Sequence, residues 1–315
     1  MTRPRTSGGR WQRVAVATGA IALLAAIPLL TAQTSHSDVR DRIRDTSQIR
    51  LGYRADARPF SYNAEGASGA AGYSIAVCEA VASAITRSGL LGAPTIEWVM
   101  VTPKERFPAV QQGTIDLLCG ADTITLERRA LVAFSTPIFQ GGIGALLRAD
   151  APVQLRDVLS GKGSTFHPTW RASATQVLRT RAFAAVGGTT AERWLTTRIG
   201  DLQVVSTAMS VRSYADGIAA VRRLEAAALF GERAILLDAS RRDPADRDLV
   251  VLDRMFTHEP LALAMNANDP GFRQMVDRAL AQLNVSGELR RLYSKWFGEP
   301  DASAVTFFRW NARSE

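Results

Sequence analysis

The run Cys119-Gly120-Ala121-Asp122-Thr123-Ile124-Thr125-Leu126-Glu127-Arg128 gathers residue types that can grip an anion. Small residues let a ligand come close to the backbone. Thr123 and Thr125 add hydroxyls, Arg128 adds a planar fork of donors, and a helix starting here would present unpaired amide N–H groups at its positive end. A guanidinium pairs with a carboxylate through two bonds while amides take the remaining lone pairs, so the ligand class for such a set is a carboxylate. The same residues also suit a capped surface helix whose Arg128 is solvated, and local spacing leaves both readings open. Asp122 adds a constraint, because an acid beside a carboxylate site has to be turned away or paired. Arg106 and Arg128 are the nearest cations in sequence.

Such a clamp needs a strand before it and a helix after it. The apolar stretch 115–118 reads as that strand, ending at Cys119. Upstream, 49–53 alternates as a strand does and ends at Arg54, 57–62 is a Pro-punctuated loop, and 66–72 is a flexible hairpin-like connection. Tyr73, Val77, Val81 and Ala84 recur at helical spacing over 73–86, 96–101 is a further strand, and 104–112 is a helix with Pro108 in its first turn. Strands alternating with helices imply parallel pairing and an α/β lobe, whose ligands sit beyond the carboxyl ends of the strands. Arg54 and Thr123 fall at such ends.

Downstream the plan repeats: strand 183–186, turn Gly187-Gly188, helix 189–199, strand 202–205, helix 214–225, strand 226–230 and strand 249–252. A strand over 260–265 returns to the first lobe. Asp269-Pro270 caps a helix over 271–283, because aspartate accepts from orphan N–H groups and proline suits the first helical position. A last helix holds Trp296 and Phe297 as core anchors.

The chain of 315 residues is long enough for two lobes with separate cores, and 46% hydrophobic with 22% charged residues is ordinary for a globular protein. The net charge of +8 owes four cations to Arg3, Arg5, Arg10 and Arg13, leaving 34 basic against 30 acidic groups. That balance, with scattered arginines and no aromatic-interleaved basic block, excludes nucleic acid as a partner. The basic start followed by the apolar run 14–30 has the form of a secretory signal peptide over 1–32. The run also meets the lower length limit of an uncleaved anchor, and either way the body is exported. Export permits Cys78 and Cys119 to form a disulfide, and two buried thiols are the alternative. His36, His167 and His258 have no metal-ligand spacing, so neither a metal nor another cofactor is expected.

From Gln111-Gln112-Gly113-Thr114-Ile115-Asp116-Leu117-Leu118 through Arg128 to Phe134-Ser135-Thr136-Pro137, the chain resembles the periplasmic amino-acid-binding proteins of ABC importers. Within that family it is most similar to the glutamate/aspartate-binding branch. The resemblance runs from about residue 49 to residue 298. It implies a two-lobed type II periplasmic-binding fold, each lobe a mostly parallel sheet flanked by helices, joined by two crossing strands. The lobes would take residues 33–145 and 261–315 for the first and 146–260 for the second.

By the same resemblance, Arg128 binds the ligand's α-carboxylate with Thr123 and Ala121 beside it, and Thr189 and Thr190 close on that carboxylate from the second lobe. Glu232, where relatives usually carry aspartate, meets the ammonium. Arg54 and Arg106 address a second carboxylate on the side chain. Pro103 and Ala121 replace family serines, and Tyr214 stands in place of a histidine. The stretch 161–180, with Trp170, Arg171 and Arg179, is longer than the family's passage between strands. It reads as a lid or permease contact, or as a solvated surface excursion.

The expected function is therefore non-catalytic: an exported, monomeric binding protein that captures glutamate or aspartate in an interlobe cleft and delivers it to an inner-membrane ABC permease. Two other readings use the same fold, an enzyme similar to periplasmic cyclohexadienyl dehydratases with Glu232 in acid/base chemistry, and the sensory domain of a receptor.

Overall fold

The computed structural model describes residues 38–64, 69–89, 91–162, 177–202, 206–242 and 247–312. The leader 1–32 and most of the stretch 161–180, including Trp170 and Arg171, lie outside them.

The first lobe opens with α1 (Val39–Thr46), capped by Asp38, whose side chain accepts from Arg40 N. β1 (Gln48–Tyr53) follows, then a small antiparallel sheet of β2 (Asp56–Ala57), β3 (Ser61–Ala64) and β4 (Gly69–Ala71). That sheet occupies the segment expected to be a loop followed by a hairpin-like connection, β3 and β4 pairing antiparallel, and α1 lies where only a polar segment was expected. Next come α2 (Tyr73–Arg87), β5 (Thr95–Met100), α3 (Arg106–Gln111), β6 (Leu117–Thr123), α4 (Leu126–Arg129), β7 (Ala133–Phe134) and β8 (Phe139–Gly141). The second lobe holds β9 (Ile143–Arg148), α5 (Val153–Ser160), β10 (Ala182–Val186), α6 (Thr190–Leu202), β11 (Thr207–Val211), α7 (Tyr214–Arg222), β12 (Ala228–Glu232), α8 (Arg233–Arg242) and β13 (Leu249–Val251). The chain then returns to the first lobe through β14 (Glu259–Met265), α9 (Pro270–Val285), α10 (Glu288–Phe297) and α11 (Ala302–Asn311).

One sheet is ordered β5-β1-β6-β14-β7, with β8 also on β14, and the other β11-β10-β12-β9-β13. The architecture is the expected two-lobed α/β fold, but its sheets are mixed. Parallel pairing joins β5, β1 and β6 in one lobe and β11, β10 and β12 in the other. The strands at and after the crossings pair antiparallel, β9 against β12 and β14 against β6. Sheet membership puts Ile143 already in the second lobe and Glu259 and Pro260 already in the first.

The apolar faces form where periodicity points. Tyr73, Val77, Val81 and Ala84 of α2 are all buried against the inner face of the first sheet, with Leu117 and Cys119 of β6. Cys78 of α2 and Cys119 are bonded, with an S–S distance of 2.10 Å. Asp269 accepts from Phe272 N at 2.8 Å and from Val39 N at 2.9 Å, so one cap ties the last lobe-1 segment to the first helix. Asp116, buried before β6, accepts from Arg50 N and pairs with Arg42 and Arg50, joining α1, β1 and β6.

Several boundaries move. β6 does not end at Cys119. It runs on to Thr123 because β14, from more than a hundred residues later, pairs with it as far as Leu261 opposite Thr123. Of the strand expected at 202–205, residues 203–205 lie outside the described residues and Leu202 closes α6; β11, an edge strand with a weak apolar pattern, follows at Thr207–Val211. The strand expected at 226–230 sits two residues later as β12, so Glu232 is its final residue. Pro108 is the third residue of α3, where its missing N–H costs little.

Candidate functional site

Three arginines converge at the carboxyl ends of the first-lobe strands, each fully or nearly buried. Arg54 follows β1. Its N–H donates to Ser61 Oγ at 2.8 Å, and its Nε and Nη2 each donate at 3.0 Å to the Asp56 carboxylate. Arg106 opens α3, where its Nε donates to Asp122 Oδ1 at 2.7 Å, its Nη1 to Pro103 O and its Nη2 to Gly188 O at 3.1 Å. Burial pulls the Arg106 pKa down, against the pull of Asp122. Asp122 is 0% exposed, and its Oδ2 has no hydrogen-bond partner among the described residues.

Arg128 differs from the other two. Its Nη1 donates to Thr123 O at 2.9 Å and its Nη2 to Gly188 O at 3.4 Å, both neutral carbonyls. It lies over the Phe107 ring and, among the described residues, pairs with no carboxylate. Burial, reinforced by the nearby Arg106 cation, lowers its pKa to about 10. α4 spans four residues and is capped by Thr125, whose Oγ accepts from Arg128 N at 3.1 Å. What this segment offers an anion is thus the Arg128 side chain, in the short α4 that follows β6, rather than the N-terminus of a long helix. Thr123 is buried beside it, and Ala121 is partly buried against the core.

The second lobe meets this cluster at the turn before α6. Gly188 has φ +75°, the left-handed region that suits glycine, and its carbonyl bridges Arg106 and Arg128. Thr189 Oγ donates to Val186 O at 2.6 Å, and Thr190 Oγ donates to Glu259 Oε2 at 2.8 Å. Both hydroxyls are therefore engaged within the protein. Arg193 on α6 pairs with Glu127 on α4, and Arg58 with Asp238 at 3.2 Å, so charged contacts also tie the lobes.

Glu232, at the end of β12, accepts from Gly142 N at 3.0 Å and Ala234 N at 3.4 Å, next to the crossing strands. Its own N–H donates to Tyr214 Oη at 3.3 Å. Burial pushes the Tyr214 phenol up to about 12, with Arg54 close enough to pull the other way. Glu232 is partly reachable from a groove of about 520 Å³ that it lines with Arg58, Asp238 and Trp296, yet the protein packed around it pushes its carboxyl up to about 8. A carboxyl raised above its unfolded value binds more protons folded than unfolded between about pH 4.5 and 8, so its contribution falls as pH rises through that window. Glu232→Gln is expected to flatten that part of the stability profile, read as melting midpoint against pH from 5 to 8.

The structure therefore brings Arg54, Arg106, Thr123, Arg128 and Tyr214 into one buried cluster, faces it with the Gly188 turn, and holds Glu232 at the crossing. Sequence reading missed Asp56, Glu259 and the Gly188 carbonyl. Asp56 left a signal, since residues two apart on an extended chain share a face. Glu259 left none, lying 69 residues from Thr190. Among the described residues no group of three or more His, Cys, Asp or Glu could hold a metal, and no helix is long and apolar enough to cross a membrane.

Residues 49–299 match the model of the bacterial extracellular solute-binding proteins, family 3. The chain belongs to that family. It is 27% identical to an L-glutamate/L-aspartate-binding protein of Pseudomonas aeruginosa over 82% of this chain and 80% of that one. It is 24% identical to the ABC transporter glutamine-binding protein GlnH of Bacillus subtilis, over 85% and 88% respectively. A solved ancestral amino-acid-binding protein, described as a precursor of cyclohexadienyl dehydratase, overlays 83% of this chain and 100% of its own with a TM-score of 0.67 at 24% identity. That last likeness speaks for the fold. As a member of this family the chain is a bacterial extracellular solute-binding protein, and the named curated relatives are amino-acid-binding proteins.

Proposed function

We propose that this family-3 protein works in the periplasm as a monomer, closing its two lobes on the α-carboxylate and α-ammonium of one amino acid and releasing it to an inner-membrane permease. The observation that carries this reading is Arg128, a buried cation whose hydrogen bonds among the described residues go to neutral carbonyls at the contact between the lobes. Burying a charge without a counter-ion is costly, and a ligand carboxylate supplies one. It would take over the acceptor position that the Gly188 carbonyl fills between Arg106 and Arg128, with the Thr189 and Thr190 segment closing over it. Glu232 would meet the ammonium, whose charge favours the ionised carboxylate that burial disfavours. Because the ligand touches both lobes, it stabilises the closed form over the open one.

Thermal-shift screening against the common amino acids tests this. A ligand at about 100 times its Kd adds ~2.7 kcal/mol of apparent stability. Arg128→Ala is expected to weaken binding by roughly 2–5 kcal/mol, the scale of truncating one partner of a buried charge pair, and so to erase the shift. Absence of any shift in the wild type, or a shift that survives Arg128→Ala, would overturn the proposal.

The acidic side chain expected from sequence has two supports, the presence of Arg54 and Arg106 and the glutamate/aspartate-binding relative. Against it stand the partners those arginines already have.

A further inference from the structure

We infer that Asp56 and Asp122 are built-in counter-ions that fix the charge of the cleft, so that it selects an amino acid with a neutral, hydrogen-bonding side chain and discriminates against glutamate and aspartate. The inference rests on the amino-acid-capture reading and specifies its ligand.

The cluster contains three guanidiniums and two carboxylates in direct contact with them. Arg54 spends Nε and Nη2 on both oxygens of Asp56. Arg106 spends Nε on Asp122 and both Nη groups on backbone carbonyls, one from each lobe. One cation, Arg128, makes no direct ion pair among the described residues, Asp122 and Glu259 acting on it only through space, and a single α-carboxylate gives it a direct partner. A second ligand carboxylate would bring an unmatched negative charge into a site that already holds Asp56, Asp122 and Glu232, or would have to displace an aspartate from its arginine.

Displacement is obstructed. Asp122 is 0% exposed and lies on the central strand β6, facing the core beneath α3, so its carboxylate has no route to solvent. It fits there because position 120 lacks a side chain: a Cβ on Gly120 would lie 2.2 Å from Asp122 Oδ2. Asp56, with a quarter of its side chain exposed, is held by both arms of the Arg54 fork. A carboxamide or hydroxyl side chain adds no charge and can bond to the paired groups without separating them.

Calorimetric titration of the purified full chain with glutamine, asparagine, glutamate and aspartate tests the inference, with Asp122→Asn and Asp56→Asn alongside. In the wild type the amides are expected to bind about tenfold or more tighter than their acids, the scale of a like-charge clash in a poorly solvated site. Asp122→Asn removes one negative charge with little change of shape and is expected to move the acid-to-amide ratio toward the acids by about tenfold or more. Asp56→Asn should act in the same direction more weakly, since solvent screens that pair, and it keeps the test alive if Asp122→Asn does not fold. Wild-type preference for glutamate or aspartate, or an unchanged ratio in both variants, would sink the counter-ion inference while leaving amino-acid capture intact. Failure of every amino acid to bind removes both.

Discussion

Replacing Cys78 and Cys119 together by alanine is expected to lower the melting midpoint by roughly 10 °C, from about 4 kcal/mol of lost constraint on the unfolded chain. The bridge joins α2 to β6 across a separation of 41 residues, with a Cα–Cα distance of 6.2 Å. Closing a loop of about 40 residues removes conformational freedom mainly from the unfolded state, and that freedom returns when the bridge is lost. Both cysteines are fully buried in the core shared by α2 and β6, so the alanines also leave small cavities. The bond pins the strand that ends in Asp122 and Thr123 and leads into Arg128, so ligand affinity should fall with stability. Matched melts of the oxidised wild type, the reduced wild type and the double variant check this. A variant melting within about 2 °C of the oxidised wild type, about 1 kcal/mol for a chain of this size, would show that the bridge contributes little.

A second large effect is expected from Gly72→Ala, on the order of 3–5 kcal/mol from backbone strain and overpacking combined. Gly72 has φ +132°, and a Cβ there would lie 2.2 Å from Phe60 O and 2.8 Å from Pro59 O. Those are backbone atoms and cannot swing aside. Phe60 O accepts from Ser74 N and Pro59 O from Tyr73 N, so the start of α2 is laced to the turn that positions Arg58 and Ser61. Ser61 in turn holds the backbone of Arg54. Gly200→Ala is the matched control, since in α6 a Cβ at that position meets nothing within 4 Å. Exchanging glycine for alanine there should be neutral or stabilising by up to about 1 kcal/mol. Denaturant melts of the two variants should separate clearly. Equal midpoints would mean that the close approach at Gly72 relaxes at small cost.

Both effects show where local pattern stops being informative. Two cysteines in an exported chain permit a bond without requiring one, and only the packing of α2 on β6 brings their Cα atoms within bonding reach. Gly72 and Gly200 look alike along the chain. What separates them is the neighbouring backbone, delivered to one by the small sheet and absent from the other. The same holds for β6, whose final residues are polar and small and extend as strand only because β14 arrives beside them.

Sequence by itself determined the elements whose signals are local and strong. The alternation of strands and helices, the apolar stripe of α2, the Asp269-Pro270 start of α9 and the run leading to Arg128 each follow from neighbours within a few residues; they specify α/β lobes, and the family resemblance of the motif run adds the two-lobed binding-protein fold. Tertiary structure alone decided the charge state of the cleft. Whether Arg54 and Arg106 are available to a ligand depends on whether Asp56 and Asp122 reach them, and whether Arg128 is left over depends on what the second lobe presents to it. Hydrophobic periodicity is repeated along the chain and can be read from it, whereas ion pairing is chosen through space among groups that the fold brings together. Three arginines can be read from the chain's motifs, whereas the aspartates that pair with two of them, Asp56 with Arg54 and Asp122 with Arg106, are found only in the folded structure.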